Sequence, residues 1–135
     1  MRDDANAKAG VRMMSKTARS LFFFGIYLIA LGLFLLIAPN TLITLFGLPE
    51  THDIWIRVVG MLLVLLAFYN IQAARNEVVS YFRWSVIARE SVIVFFAVFV
   101  LLDWVKPVLL LFGFFDLAGA LWTFLALRQD RTAQT

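Results

Sequence analysis

The chain has 135 residues, of which 62% are apolar, and a formal net charge of +3. Soluble domains are roughly half apolar, so this composition excludes an ordinary water-soluble protein. The chain contains no cysteine and a single histidine, His52. These counts exclude a disulfide framework, an iron–sulfur cluster, a thiolate zinc site and a cysteine nucleophile, and they exclude most histidine-based metal sites and Ser-His-Asp catalysis.

Residues 1–19 are mainly polar and basic, and we expect them to form a cytoplasmic segment ahead of the first hydrophobic run. Arg12, Lys16 and Arg19 recur at helical spacing, which is typical of a short basic helix on an anionic membrane surface. The alternative, which we favour, is a charged flank that only fixes the orientation of the first membrane helix.

The apolar residues fall into four runs that are separated by short polar segments. The runs cover residues 21–38, 54–74, 86–102 and 108–127. A hydrocarbon core about 30 Å thick needs roughly 20 helical residues, so each run is about long enough to cross a bilayer. We therefore predict an all-α, polytopic integral membrane protein. Residues 20–128 form an antiparallel bundle of four transmembrane helices, and residues 129–135 form a short cytoplasmic tail.

The basic residues are distributed unevenly across the predicted membrane. Ten of the twelve lie before the first run, between the second and third runs, or in the tail: Arg2, Lys8, Arg12, Lys16, Arg19, Arg75, Arg83, Arg89, Arg128 and Arg131. The positive-inside rule then places both termini in the cytoplasm of a bacterial-type cell, with the helices in its inner membrane. The net charge therefore indicates topology, and we predict no nucleic-acid partner because no single basic face is present.

The connection between the first two runs is unusually apolar for a loop. Asn40 is expected to cap a short helix over residues 41–46, Gly47 to end it, and Pro49 to prevent its continuation. We predict a small interfacial helix there.

Ionisable residues within the runs are the main candidates for a functional site, because each costs a few kcal/mol on membrane-insertion scales. Asp116 lies eight residues into the fourth run. Gly113, Ala120 and Thr123 recur with it at intervals of three or four residues, so this small and polar face is predicted to pack inward.

A similar stripe on the second run consists of Arg57, Gly60, Ala67, Asn70 and Ala74. We predict that the two stripes face each other across the core of the bundle and that Arg57 pairs with Asp116. Arg89 is the alternative partner, at a similar axial offset. Side chains lean toward the N-terminus of their helix, which favours Arg57.

Arg89 and Glu90 lie about one turn inside the cytoplasmic end of the third run. Because adjacent helical residues point about 100° apart, the two are not expected to pair with each other. Glu90 is expected to meet Arg75 or Arg19, and Arg89 to meet Asn70 or a phospholipid phosphate. The candidate pocket therefore comprises Asp116, Arg57, Arg89, Glu90, Asn70 and Thr123, which act either as a clasp that fixes helix register or as a functional site.

Tyr27, Tyr69 and Trp122 are further candidates for lining a pocket, although packing and interfacial roles are commoner for such residues. The sequence contains no glycine-rich phosphate loop, no paired acidic metal motif and no nucleophile elbow. We therefore predict no catalytic residue, no metal ion and no cofactor. The pocket leaves room for a bound lipid or quinone.

The segment ALGLFLLIAPNTLITLFGLP is followed by an arginine that enters the second run with VVGMLLVLLAFYNIQAAR, and the chain closes with a hairpin that contains Asp116 and Trp122. Over residues 21–127 this order resembles small uncharacterised bacterial membrane proteins with a DoxX-like four-helix arrangement. The resemblance implies a compact four-helix bundle and, for DoxX proper, a membrane subunit connected with quinone-linked sulfur oxidation. It carries over no catalytic residue, and the absence of cysteine argues against a thiol-based redox role.

Three functions follow from these observations. The favoured one is a non-enzymatic accessory or assembly protein of the inner membrane, acting with a larger membrane-protein partner or as a homo-oligomer. The second is an oligomeric transporter or channel for a small solute, an ion or a proton, with Asp116 and Arg57 as the selecting residues. The third is a lipid- or quinone-interacting oxidoreductase subunit, in which Arg89 joins the same pocket.

Overall fold

The computed structural model describes residues 13–133. Most of the predicted basic segment, residues 1–12, and the last two residues lie outside the described residues. The described chain is helical and contains no strand. Its helices are α1 (Lys16–Ile37), α2 (Pro39–Leu45), α3 (Trp55–Arg75), α4 (Val79–Leu101) and α5 (Leu109–Thr132). By length and composition α1, α3, α4 and α5 could each cross a membrane, which confirms an all-α fold with four candidate spans.

The helices continue beyond the hydrophobic runs at their polar ends. α1 begins at Lys16, five residues before the first run, and α4 begins at Val79, seven residues before the third. Hydropathy marks only the part of a helix that suits the membrane interior, whereas the helix itself extends to its cap. For α1 the cap is Ser15, whose side chain accepts a hydrogen bond from Ala18 N at 3.0 Å. Lys16 and Arg19 therefore belong to α1, and they form no separate surface helix.

The first helix holds the bundle together, because α1 packs against both α3 and α5 while α4 packs mainly against α5. The lateral order is therefore α3, α1, α5, α4. The prediction that the stripes of α3 and α5 face each other is wrong, since each of these helices makes its main contact with α1 or α4.

Glycines bring the backbones of α1 and α3 into direct contact. A Cβ added to Gly32 would lie 2.7 Å from Gly60 O, and a Cβ added to Gly60 would lie 2.7 Å from Gly32 O. Two turns away, a Cβ on Gly25 would lie 2.7 Å from Ile71 Cγ1. Close packing of this kind drives helix association in a membrane, where apolar side chains gain little by leaving lipid.

Two carboxylates join the start of α1 to the rest of the fold. Ser15 donates from N and Oγ to the two carboxylate oxygens of Glu77, both at 2.7 Å. Thr17 donates from N and Oγ1 to Asp130 Oδ2, at 3.0 and 2.6 Å. The first N–H groups of a helix lack partners within it, and they favour nearby negative charge. We call this end of the bundle, where Ser15, Glu77 and Asp130 meet, the termini end.

The opposite end, which we call the α2 end, contains the short helix predicted from the sequence. α2 begins at Pro39, a first-turn position at which the missing N–H of proline costs nothing. The predicted cap is wrong, because the Asn40 side chain turns instead to the following loop and accepts a hydrogen bond from Thr51 N at 3.0 Å. Gly47 lies in the turn after α2 with a φ of 69°, and its carbonyl accepts a hydrogen bond from Lys106 Nζ at 3.2 Å.

We expect Gly32→Leu to lower the free energy of unfolding by about 3 kcal/mol, the upper part of the usual range for overpacking, because its side chain would meet backbone atoms of α3. Ala30→Leu is the matched control, since Ala30 lies exposed on the same helix. Reversible unfolding of both variants in detergent measures the difference. Equal stabilities would contradict the backbone contact between α1 and α3.

Candidate functional site: a buried arginine beside an aromatic cavity

Arg89 projects from α4 into the bundle and is only 5% exposed. Its Nη1 donates to Thr123 Oγ1 at 3.3 Å, and its Cζ lies 3.5 Å from the centroid of the Phe24 ring. Its Nε and Nη2 are buried and have no hydrogen-bond partner among the described residues. Buried donors are normally satisfied, because an unmet one costs about 1–3 kcal/mol or more when charged. The guanidinium therefore has hydrogen-bonding capacity to offer a ligand.

The small face of α5 makes room for this side chain. A Cβ added to Gly119 would overlap Arg89 Nη2, so the guanidinium occupies the space that a larger residue would fill. Farther along α5, a Cβ on Gly113 would lie 2.7 Å from Ile93 Cδ1 of α4. The predicted inward packing of the α5 stripe is confirmed, and here the neighbour that it accommodates is α4.

Thr123 connects three helices. Its Oγ1, fully buried, lies 3.0 Å from Gly119 O and 3.0 Å from Ser20 Oγ of α1, and it also accepts the hydrogen bond from Arg89. A threonine hydroxyl can donate one hydrogen bond and accept two, so these three neighbours use its full capacity. Thr123 thereby fixes Nη1 of the guanidinium, whereas Nε and Nη2 are buried without a hydrogen-bond partner among the described residues.

Arg89 lines a cavity of about 170 Å³ between α1 and α5. Most of the other lining side chains are aromatic, and they include Phe23, Phe24, Tyr27 and Trp122. The rings of Phe23 and Trp122 stack across the two helices with centroids 6.3 Å apart. Aromatic faces attract cations and also stack on planar groups. We call this space the aromatic cavity.

A second cavity of about 270 Å³ lies along α1, closer to the α2 end. Its walls are leucine, isoleucine, valine and phenylalanine side chains from all five helices and from the turn after α2. Tyr27 lines both cavities, and Asp116 is the one charged residue of the described chain that lines the second. At the end of this cavity nearest to α2, Phe46 packs against Phe112 of α5, and their ring centroids lie 4.8 Å apart. We call this space the apolar cavity.

The predicted pairing of Arg57 with Asp116 is wrong. Arg57 is exposed, and its Nη1 donates to Leu36 O on α1, which lies between α3 and α5. Asp116 is half-buried and forms no hydrogen bond or ion pair within residues 13–133. The charged group that interacts with it electrostatically is Arg89, the alternative partner, although the two make no direct bond.

Asn70 and Glu90 lie apart from this site. Asn70 is 2% exposed, and its Nδ2 donates to Leu66 O of its own helix at 2.8 Å rather than meeting Arg89. Glu90 is exposed and forms no ion pair with Arg75 or Arg19 in the described structure. It lines a surface groove with three other charged residues, Arg83, Arg128 and Arg131.

The structure thus brings Arg89 close to Thr123 and leaves Asp116 farther away. It gives a role to Gly119, which the sequence placed beside the small stripe of α5, and it adds Phe24, which the sequence did not single out. No sequence signal distinguishes Phe24, because it is one of fourteen phenylalanines in an apolar chain. Of the three aromatic pocket candidates, Tyr27 and Trp122 line the aromatic cavity, whereas Tyr69 is exposed and lines neither cavity.

The chain matches no protein-family model, no curated protein and no solved structure. The DoxX-like resemblance therefore stays a prediction that rests on the hydrophobic pattern of the sequence.

We expect Arg89→Met to leave the free energy of unfolding within about 1 kcal/mol of the wild type, or to raise it, because replacing a partly satisfied buried charge by an apolar side chain is often neutral or stabilising. In the variant, Ser20 Oγ and Gly119 O remain as hydrogen-bond partners of Thr123 Oγ1. Reversible unfolding in detergent measures the change. A loss of about 3 kcal/mol or more, as for a broken buried ion pair, would instead make Arg89 a structural clasp.

Proposed function

We propose that the chain is a non-enzymatic, multi-pass protein of the inner membrane that binds a membrane amphiphile, a lipid or a quinone, between its helices in a cavity that opens on the surface of the bundle. The observation that carries this proposal is the guanidinium of Arg89, which is buried, has two unpartnered nitrogens and borders the aromatic cavity. A purely structural arginine at this depth would be expected to satisfy its donors within the protein.

The two cavities suit the two parts of an amphiphile. A carbonyl or phosphate oxygen accepts hydrogen bonds from Arg89, and a planar head stacks against the aromatic rings that surround it. The attached apolar chain passes Tyr27 into the apolar cavity. That cavity, at about 270 Å³, is slightly smaller than the roughly 300–1,000 Å³ of typical ligand pockets, so it suits a single chain.

The proposed role is binding rather than catalysis. The residues that line the two cavities include one carboxylate, Asp116, and no histidine among the described residues. General acid–base chemistry needs groups positioned for proton transfer, and Asp116 and Tyr27, the titratable residues that line the apolar cavity, form no hydrogen bond with each other. A small bundle that carries a bound amphiphile is suited to an accessory role beside a larger membrane protein or a second copy of itself.

Extraction of bound amphiphiles tests the proposal. The wild type is purified from membranes in mild detergent, and the released lipids and quinones are quantified by mass spectrometry. We expect about one copy per chain of an amphiphile whose recovery depends on Arg89. At least tenfold less of that amphiphile should be recovered from Arg89→Met, because a hydrogen bond to a charged group is worth about 1.5–3 kcal/mol. Leu31→Trp, which fills the apolar cavity, should lose the ligand as well.

Arg75→Met is the matched control, since Arg75 is exposed at the end of α3 and lines neither cavity. It should retain the ligand. Equal recovery from Arg89→Met and the wild type would overturn the proposal, and so would a wild type that carries no amphiphile.

We also propose an antiparallel bundle with both termini in the cytoplasm. The hydrogen bonds that join Ser15 to Glu77 and Thr17 to Asp130 support a common end for both chain termini and the turn from α3 to α4. The hydrogen bond from Lys106 to the Gly47 carbonyl supports a common location, at the α2 end, for the connection between α1 and α3 and the connection between α4 and α5. The excess of lysine and arginine at the termini end supports its cytoplasmic location.

Single cysteines test this topology without further engineering, because the chain has no cysteine of its own. A membrane-impermeant maleimide applied to spheroplasts should label His52→Cys at the α2 end. It should label Ala133→Cys only after the membrane is permeabilised. The opposite pattern of labelling would reverse the orientation. Labelling of both positions in sealed cells would contradict the placement of the α2 end and the C-terminus on opposite sides of the membrane.

A further inference from the structure

We propose that a groove between α4 and α5 at the termini end binds the phosphate headgroup of an anionic phospholipid. The groove has a volume of about 380 Å³ and lies on the surface of the bundle. Its charged residues are Arg83, Arg128, Arg131 and Glu90. Three guanidinium groups therefore face one carboxylate, and the groove carries a net positive charge.

The three arginines of the groove lie near the helix ends, whereas its apolar side chains and Glu90 lie farther in. Arg128 and Arg131 belong to the last turns of α5, and Phe124 lies one turn before Arg128. On α4, Arg83 lies near the start and Ile87 follows one turn later. Residues spaced by three or four positions share one face of a helix. Each helix thus places arginine at headgroup depth and an apolar side chain at the depth of the acyl chain.

The arginines are available to a ligand. Arg83, Arg128 and Arg131 are exposed, and none of them forms an ion pair in the described structure. The Cζ of Arg128 lies 4.7 Å from the centroid of the Phe124 ring, which holds its guanidinium over the groove. Guanidinium groups bind phosphate oxygens through paired hydrogen bonds, and basic pockets between membrane helices bind anionic headgroups.

This groove is separate from the site of the proposed function. Arg89 turns into the bundle and is 5% exposed, whereas its neighbour Glu90 faces the groove. The groove shares no lining residue with the aromatic cavity or with the apolar cavity. Either proposal can therefore fail without the other.

Lipid titration of the full chain in neutral detergent, followed by native mass spectrometry, tests the groove. Phosphatidylglycerol and phosphatidylcholine with the same acyl chains are the two probes. We expect tighter binding of phosphatidylglycerol. Each of Arg83→Gln, Arg128→Gln and Arg131→Gln should weaken it about fivefold, the effect of one basic residue near an anionic membrane surface. The triple variant should bind both lipids equally.

One control keeps the test specific. Arg75→Gln removes an exposed arginine from another helix outside the groove. It should keep the preference for phosphatidylglycerol. Equal binding of the two lipids by the wild type, or a preference that survives in the triple variant, would overturn the proposal.

Two other occupants of the groove would also be revealed. Displacement of phosphatidylglycerol by an equal concentration of inorganic phosphate would assign the arginines to a free anion, because the acyl chains would then add nothing. A dimer that depends on the three arginines and shows no lipid preference would assign the groove to a second copy of the chain. Either result would overturn the phospholipid assignment.

Discussion

Burial of the Arg89 guanidinium among apolar helices is the constraint on which the candidate site depends. A charged group at such a position needs space, hydrogen-bond acceptors and a nearby opposite charge. Gly119 provides the space, Thr123 provides one acceptor, and Asp116 provides an electrostatic partner without a direct bond. The Phe24 ring covers the guanidinium. What the protein leaves unmet, at Nε and Nη2, is the chemistry that the site can offer to another molecule.

The central position of α1 explains how this site is assembled. α1 is joined to α3 by close backbone packing at Gly32 and to α5 through Ser20 and Thr123. Its first residues are tied to Glu77 and Asp130. Both cavities lie along α1, and Tyr27 lines both of them. A helix that contacts two neighbours in this way keeps them apart, so the arginine of α3 cannot reach the aspartate of α5.

Features that depend on neighbouring residues along the chain were predicted well from the sequence. Hydropathy located four candidate spans, and Pro39 and Gly47 now bound the short helix that the apolar loop indicated. Spacing also identified the small faces of α3 and α5. These signals are local, because a helix and its inward face are determined by residues three or four positions apart.

Features that depend on the lateral order of the helices were not predictable in the same way. Arg57 and Arg89 have similar axial offsets from Asp116, so depth within the membrane did not decide between them. The choice depended on which helix lies beside α5, and apolar runs of similar composition carry little information about that order. Phe24 illustrates the same limit, since its contact with Arg89 follows from tertiary packing alone.

The central claim is that Arg89, which is buried with two unpartnered nitrogens beside the aromatic cavity, binds an amphiphile. An experimental density map of the full chain in nanodiscs of native lipid tests it most directly. The claim predicts elongated density through the aromatic cavity, with its polar end within hydrogen-bond distance of the Arg89 guanidinium and its apolar end beyond Tyr27. A map in which Arg89 and Asp116 form a direct ion pair, and in which the side chains of Phe24 and Tyr27 fill the cavity, would contradict it.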